Sequence, residues 1–348
     1  MKRNWTGAFQ IAAVYVGTVV GAGFATGREI VEFFSRYGFI GFIGILVSGY
    51  LLVALGSKLM RLAVWAKTET YEEFNEFLFG RSAAKIINIL MLLMLLGVTS
   101  VMMSGAGAVF KEQIGVSSHY GVITTIVLSV IVMAVGTKGL FAVNTFIVPA
   151  MIAFSLFLMI LSLDHPGLKD AFFKMDDDGI SWRGLISPFL YIAFNLGLSQ
   201  AVLVPIAAEV RDDWTIKWGG ILGGIALTLI LFSSHLTMVM LPNLETYEIP
   251  MAAVMLRLAA GFHWIFVGIV YAEIFTSVIG NIYGLERQLR KYLPLNTMTI
   301  TAGIFIVSYA ASLIHYGTLL SFLYPLFGYV SLAFLVLLWA KPMPGKKK

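Results

Sequence analysis

GTVVGAGFATGRE, residues 17–29, lies inside the first long apolar run of the chain and decides its fold. It places Gly17, Gly21, Gly23 and Gly27, with Arg28 and Glu29, where a membrane helix would be continuous and greasy. A glycine costs about 1 kcal/mol relative to alanine in a helix interior. Backbone groups freed by a break in hydrocarbon survive only when buried in protein or lining a cavity. Two readings fit. Gly21 and Gly23 flank one residue at mid-run, which predicts a break near residues 20–26. Alternatively, Gly17/Gly21 and Gly23/Gly27 are G-x-x-x-G pairs that let helices approach closely with no break. A dinucleotide fingerprint is excluded, because Thr26 stands where the third glycine belongs and no strand precedes it.

The 348 residues are 59% hydrophobic and 12% charged, against roughly 25% charged in a soluble domain. This is the composition of an integral membrane protein. No polar stretch approaches the ~50 residues an independent domain needs, so residues 1–348 are expected to form a single transmembrane domain. The absence of cysteine excludes disulfides, thiolate metal sites and a cysteine nucleophile. The first apolar run continues past Gly27 into EIVEFF and is followed by many others, so it is a transmembrane helix and not a signal peptide.

A spanning helix needs about 20 mostly apolar residues. Ten such runs are found, at 6–35, 38–62, 84–110, 119–136, 139–162, 183–210, 216–241, 261–288, 297–315 and 318–340. Lys and Arg concentrate in cytoplasmic loops. With the N-terminus inside, seventeen of the 24 basic residues fall in inner segments and six in outer ones, and Arg28 lies within span one. Both termini are therefore expected in the cytoplasm of a multi-pass cell-membrane protein. The net charge of +5 is then a topology signal and not a nucleic-acid footprint. The loop from Asp164 to Arg183 carries Asp170, Asp176, Asp177 and Asp178 and fits outside. Segment 66–85 predicts an inner interfacial helix with Tyr71, Phe74, Phe77 and Leu78 on its apolar face. IPMAAVMLRLAAG, residues 249–261, predicts an outer lid-like helix with Pro250 in its first turn.

Span six contains FNLGLSQ, residues 194–200, where Asn195, Gly197, Ser199 and Gln200 cluster at mid-membrane ahead of Pro205. It too is expected to be interrupted. Interrupted helices at matching positions of two halves point to a transporter's central site. Ten spans with breaks in the first and sixth fit a five-plus-five inverted repeat, about 6–162 and 183–340.

On these motifs the chain resembles the LeuT-like fold of the amino acid-polyamine-organocation (APC) superfamily, and GAGFATGREIVEFF resembles the bacterial YkvI-like membrane proteins. The resemblance implies alternating access around unwound helices 1 and 6, usually for amino acids or related amines and often driven by sodium. It further implies a solute site at Gly21, Ala22, Gly23, Phe24 and Ala25 with Asn195, Gly197, Ser199 and Gln200, in which the amides of Ala22, Gly23 and Phe24 face a carboxylate. It implies a sodium site of the Gly17 and Val20 carbonyls with the Thr276 and Ser277 hydroxyls and the Glu273 carbonyl on EIFTS, residues 273–277. Oxygen ligands suit a hard cation. Helix-to-helix hydrogen bonding is the competing role of Thr276 and Ser277. Phe24 stands where relatives with a second sodium often carry asparagine. Span three offers no tyrosine for a solute carboxylate, and span five no mid-membrane lysine of the kind that replaces sodium in proton-coupled relatives.

A mid-span carboxylate marks function by default. Glu273 is thus a proton carrier, a sodium ligand or the ion-pair partner of Arg28. Arg28, Glu29 and Glu32 are expected to line an outer vestibule or pair internally, with Arg28 and Glu32 at i, i+4. Glu209 and Arg211 read as interface charges or a gate. Tyr15, Phe24, Tyr191, Phe194 and Tyr271 either pack the helices or hold a cationic amine. His119, His165, His235, His263 and His315 show no metal spacing, and His235 is expected to be a hydrogen-bonded structural residue. The expected function is secondary active transport of a small amino-acid-like or amine solute, probed against two alternatives: a non-transporting sensor or channel subunit like germinant-receptor membrane subunits, and proton coupling through Glu273. No enzymatic motif, cofactor or obligatory protein partner is expected, only solute, lipid and sodium.

Overall fold

The apolar runs form a bundle of helices whose ends coincide with the polar punctuation of the sequence. A computed structural model describes residues 4–135, 138–174, 181–290 and 292–343. Lys2, Arg3, Asp176–Asp178, Lys291 and Lys346–Lys348, which enter the charge argument, lie outside the described residues, as does the side chain of Lys138.

Span one is three pieces: α1 (Trp5–Val19), α2 (Ala22–Ala25) and α3 (Arg28–Phe33). Span two is α4 (Gly38–Leu51), a π turn at Leu52–Gly56 and α5 (Ser57–Ala66). The interfacial helix is α6 (Tyr71–Phe79), and spans three to five are α7 (Arg81–Val109), α8 (Ser118–Val135) and α9 (Lys138–Ser162). After the short α10 (Leu168–Phe172), spans six and seven are α11 (Trp182–Val210) and α12 (Asp213–Met238). The lid-like helix is α13 (Pro250–Leu258), with proline at its start. Spans eight to ten are α14 (His263–Leu289), α15 (Thr297–Ser312) and α16 (Tyr316–Ala340). All regular structure among the described residues is helical, and six stretches are long and apolar enough by themselves to cross a membrane.

The helices pack by close backbone approach, because lipid supplies no hydrophobic drive between them. WGGILGGIA on α12 carries two interleaved small-residue stripes. A Cβ on Gly219 or Gly223 would lie 2.5 Å from Ile11 or 2.6 Å from Tyr15, and one on Gly220 or Gly224 2.6 Å from Ser57 or 2.7 Å from Val53. One stripe therefore receives α1 and the other receives span two. Elsewhere α11 packs along α16, and α7 along α14 and α15.

The π turn in span two has a named partner. A π turn shifts one backbone register and frees a carbonyl, and the buried Tyr15 hydroxyl donates to Leu52 O at 3.0 Å. Tyr15 thus serves the fold. Tyr15→Phe is expected to leave that carbonyl unsatisfied and lower unfolding free energy by about 1–3 kcal/mol, read as a fall in the thermal midpoint of the purified protein.

Span six corrects the expectation of a second break: α11 is continuous from Trp182 to Val210, through Pro188 and Pro205. Its polar residues have other work. Gly197 admits Ser331 of α16, whose Oγ would lie 2.9 Å from a Cβ there. Asn195 Nδ2 donates back to Tyr191 O at 3.1 Å, one turn earlier. Ser48 Oγ donates to Pro188 O at 3.5 Å.

Candidate functional site

The break in span one is real and sharp. Val20 (ψ 100°) and Gly21 (φ −116°, ψ −170°) are extended, and the helix restarts at Ala22. Val20 N donates to Val16 O at 2.8 Å, but no described residue donates to the carbonyls of Gly17, Thr18, Val19 or Val20. The amides of Gly21, Ala22 and Gly23 likewise have no described acceptor. The Phe24 amide, expected to be free, bonds Gly21 O at 3.0 Å.

A second bend follows at Gly27, whose φ of 82° is left-handed and suits glycine. Thr26 holds this bend. Its single hydroxyl proton goes to Gly23 O at 3.1 Å, so the Tyr316 hydroxyl, 2.8 Å away, donates to it. Thr26 O accepts from Met251 N of α13 at 3.0 Å, which ties the broken span to the lid-like helix.

The bend turns Glu29 inward. Its side chain is 3% exposed, and Oε1 accepts from Asn195 Nδ2 of α11 at 3.1 Å. Because that amide nitrogen faces two acceptors, Glu29 Oε1 and Tyr191 O, its orientation is fixed by the network. Oε2 lies against Gly23: a Cβ there would sit 2.8 Å from it and 3.1 Å from the Tyr324 ring. Tyr324 in turn packs at a tilt of 38° on Phe194, centroids 4.5 Å apart. The structure therefore joins Gly23 and Asn195 of the expected set and adds Glu29 and Tyr324.

The remaining charges of GREIVEFF close one end of the bundle. Arg28 does not pair with Glu273 or with Glu32. Its Nη1 donates to Glu245 O at 2.6 Å and Tyr247 O at 2.9 Å, in the segment leading to α13, because the Gly27 bend aims it there. Glu32 instead takes both oxygens to Arg36 at 2.9 Å and accepts Ser321 Oγ at 2.5 Å. Arg36 also reaches Glu245 Oε2 at 3.0 Å. Glu112 accepts from Ile249 N at 2.8 Å and Glu248 from Gly317 N at 2.6 Å. Spans one, three and ten thus all hold the 245–251 segment. At the opposite end, Arg61 reaches Asp213 at 2.6 Å and Arg211 reaches Glu69 at 3.5 Å, which gives Arg211 an exposed interface role.

Five other expected residues are split between two small cavities, each with room for about one water. Val20, Phe24 and Ala25 line the first with Ser155 of α9, Ser234 of α12 and Met251. Gly197 and Gln200 line the second with Met91 of α7 and Ser331. Gln200 Nε2 reaches Met91 Sδ at 3.1 Å, and its Oε1 is buried with no partner. Ser199 is buried on the same helix. On α14, which packs against α2, Thr276 Oγ1 donates to Glu273 O at 3.2 Å, and no described residue bonds the hydroxyl of the half-buried Ser277. Glu273 is 1% exposed and its Oε2 has no hydrogen-bond partner. His235 bonds Ser35 Oγ through Nδ1 at 3.1 Å, as a structural histidine should.

Tyr324 escaped the sequence reading, and Glu29, expected in an outer vestibule or an internal pair, stands instead against Gly23 and Asn195. The default that a carboxylate within a span is functional would have found Glu29; the Gly27 bend that turns it inward is not visible in residue spacing.

The chain is 49% identical, over its whole length and 99% of the other, to the membrane protein YkvI of Bacillus subtilis (strain 168). It is 22% identical to the YyaD protein of the same organism over 99% of both chains. No protein-family model matches. Among solved structures it is similar to Mhp1, a nucleobase-cation-symport-1 family transporter in a closed conformation with bromovinylhydantoin bound (TM-score 0.54, 14% identity, 88% of this chain and 70% of that one). It is also similar to a manganese transporter of Eremococcus coleocola (TM-score 0.58, 13% identity, 94% and 76%). At such identities the likeness shows the fold, which is the all-α, LeuT-like membrane arrangement.

Proposed function

We propose, from the premise that the chain belongs to the YkvI family of membrane proteins, that it is a secondary active transporter working by alternating access within the APC superfamily, with no enzymatic step. The observation that carries this reading is the broken first span, with unpaired carbonyls and amides at mid-bundle. That arrangement is costly unless a solute or ion uses it. The transporter fold of both structural neighbours supports it. The basic-residue bias orients the lid-like helix α13 to the outside, so the contacts around Arg28 form the outer gate of a cell-membrane protein.

The solute is a small amino-acid-like or amine compound held at the break, and sodium is the coupling ion, taken by the Gly17 and Val20 carbonyls with Thr276 and Ser277. Glu273 supports a second reading, proton coupling. A carboxylate removed from water costs several kcal/mol unless a partner accompanies it, and no cation or donor faces its Oε2. Uptake into proteoliposomes separates the cases, with solutes chosen by thermal shift, since a ligand for the folded state stabilises it. Accumulation driven by a sodium gradient at fixed pH is expected. Accumulation driven only by a pH gradient supports Glu273. Saturable binding with no accumulation under either gradient overturns transport and supports a sensor.

A further inference from the structure

Glu29 is a carboxylate at mid-bundle with no counter-charge. The two neighbouring guanidinium groups are engaged elsewhere: Arg28 with the Glu245 and Tyr247 carbonyls, Arg36 with Glu32 and Glu245. Among the described residues no salt bridge reaches Glu29, and its single hydrogen bond is the one from Asn195. A buried charge supported by one neutral amide is poorly compensated.

The surroundings narrow what completes it. No group of three or more His, Cys, Asp or Glu side chains able to hold a metal occurs among the described residues, whereas divalent cations take six or more oxygens, several of them charged. The walls are aromatic instead. Tyr324 lies beside Oε2 over Gly23 and packs at a tilt on Phe194, centroids 4.5 Å apart, and Tyr191 shares the Asn195 amide with the carboxylate through its carbonyl. Tyr191 itself has a buried hydroxyl with no partner. One carboxylate among aromatic faces is the chemistry that holds an organic ammonium, by charge on one side and cation–π contact on the other.

We propose that Glu29, set against Gly23, Asn195 and Tyr324, is the binding group for the positive charge of the solute, and that the site selects small organic ammonium ions over their uncharged isosteres. The inference rests on the transporter reading for its place in a cycle, but not for its test, which is equilibrium binding.

The purified full-length protein in nanodiscs is titrated by thermal shift and calorimetry. The probes are choline against its uncharged tert-butyl analogue, ethanolamine against ethylene glycol, and putrescine against butanediol. At least one ammonium is expected to bind and its isostere not. Glu29→Gln is expected to weaken that ammonium by about tenfold or more, the worth of one charged contact, while Glu29→Asp keeps the preference. Gly23→Ala tests the same point with no charge change, since its methyl would stand 2.8 Å from Oε2 and displace it; the preference should fall there too. The inference is overturned if no ammonium binds the wild type, if isosteres bind equally, or if both Glu29→Gln and Gly23→Ala retain the preference. Ammonium binding without gradient-driven accumulation leaves this inference standing and removes the transporter reading. Accumulation of an uncharged solute with no ammonium binding does the reverse.

Discussion

Arg28→Ala is expected to unlatch the outer gate and raise the outside accessibility of the break in span one by about two orders of magnitude. The residue is 9% exposed, and Nη1 holds two carbonyls of the 245–247 segment at 2.6 and 2.9 Å. Hydrogen bonds to charged groups contribute about 1.5–3 kcal/mol each. Losing two of them shifts a closed-to-open equilibrium by ~3 kcal/mol or more, and each 1.4 kcal/mol is tenfold. Gly317, which packs against the guanidinium, offers no replacement donor, because its amide is already given to Glu248. The chain has no cysteine, so Ala25→Cys, placed beside Met251 in the first cavity, is a clean reporter. An impermeant maleimide added from outside should label Ala25→Cys slowly in the native background and about a hundredfold faster with Arg28→Ala. Arg28→Lys should fall between, since an ammonium lacks the fixed fork. Equal labelling rates in all three would show that the latch does not hold the gate.

How much of this was legible in residues differs from element to element. The ten apolar runs, the amphipathic helix α6 and the lid-like helix α13 follow from hydropathy and punctuation, and the structure places helices on all of them. Between the two readings of the opening glycines, the structure decides for the break at Val20–Gly21. The small-residue packing device is present, but it lies on α12 at Gly219, Gly220, Gly223 and Gly224. Span six misled because Asn195, Gly197 and Pro205 look the same whether a helix breaks or whether its polar groups meet a partner. Only Ser331, Glu29 and the Tyr191 carbonyl, distant in sequence or hidden in the helix, tell the two apart. The charged tail of the opening stretch was least legible. Arg28, Glu29 and Glu32 are expected from the sequence in an outer vestibule or an internal pair, yet α3, aimed by the left-handed Gly27, takes Arg28 to the lid, Glu29 to Asn195 and Glu32 to Arg36. The φ of Gly27 aims α3 as a whole, and the helical rotation of about 100° per residue then separates Glu29 from Arg28.

Thr276→Ala with Ser277→Ala is expected to raise the half-saturating sodium concentration for uptake by roughly a hundredfold, taking two oxygen contacts at about 1.5 kcal/mol each. The geometry of α14 supports the assignment more than a bare hydrogen-bond count suggests. Thr276 donates its proton back to Glu273 O at 3.2 Å, which leaves the lone pairs of the hydroxyl to face a cation. The Ser277 hydroxyl has no described partner, and the carbonyls of Gly17 and Val20 at the break are equally unclaimed. Were the two hydroxyls only helix-to-helix fasteners, their loss would lower the thermal midpoint and leave the sodium dependence where it was. Glu273→Gln supplies the complementary measurement. It keeps the side-chain shape but cannot release a proton, so sodium-driven uptake should persist in it with the same half-saturation, whereas pH-driven uptake should vanish. Sodium dependence unchanged in the double alanine variant, together with loss of all uptake in Glu273→Gln, would move the coupling ion from the break in span one to the buried carboxylate on α14.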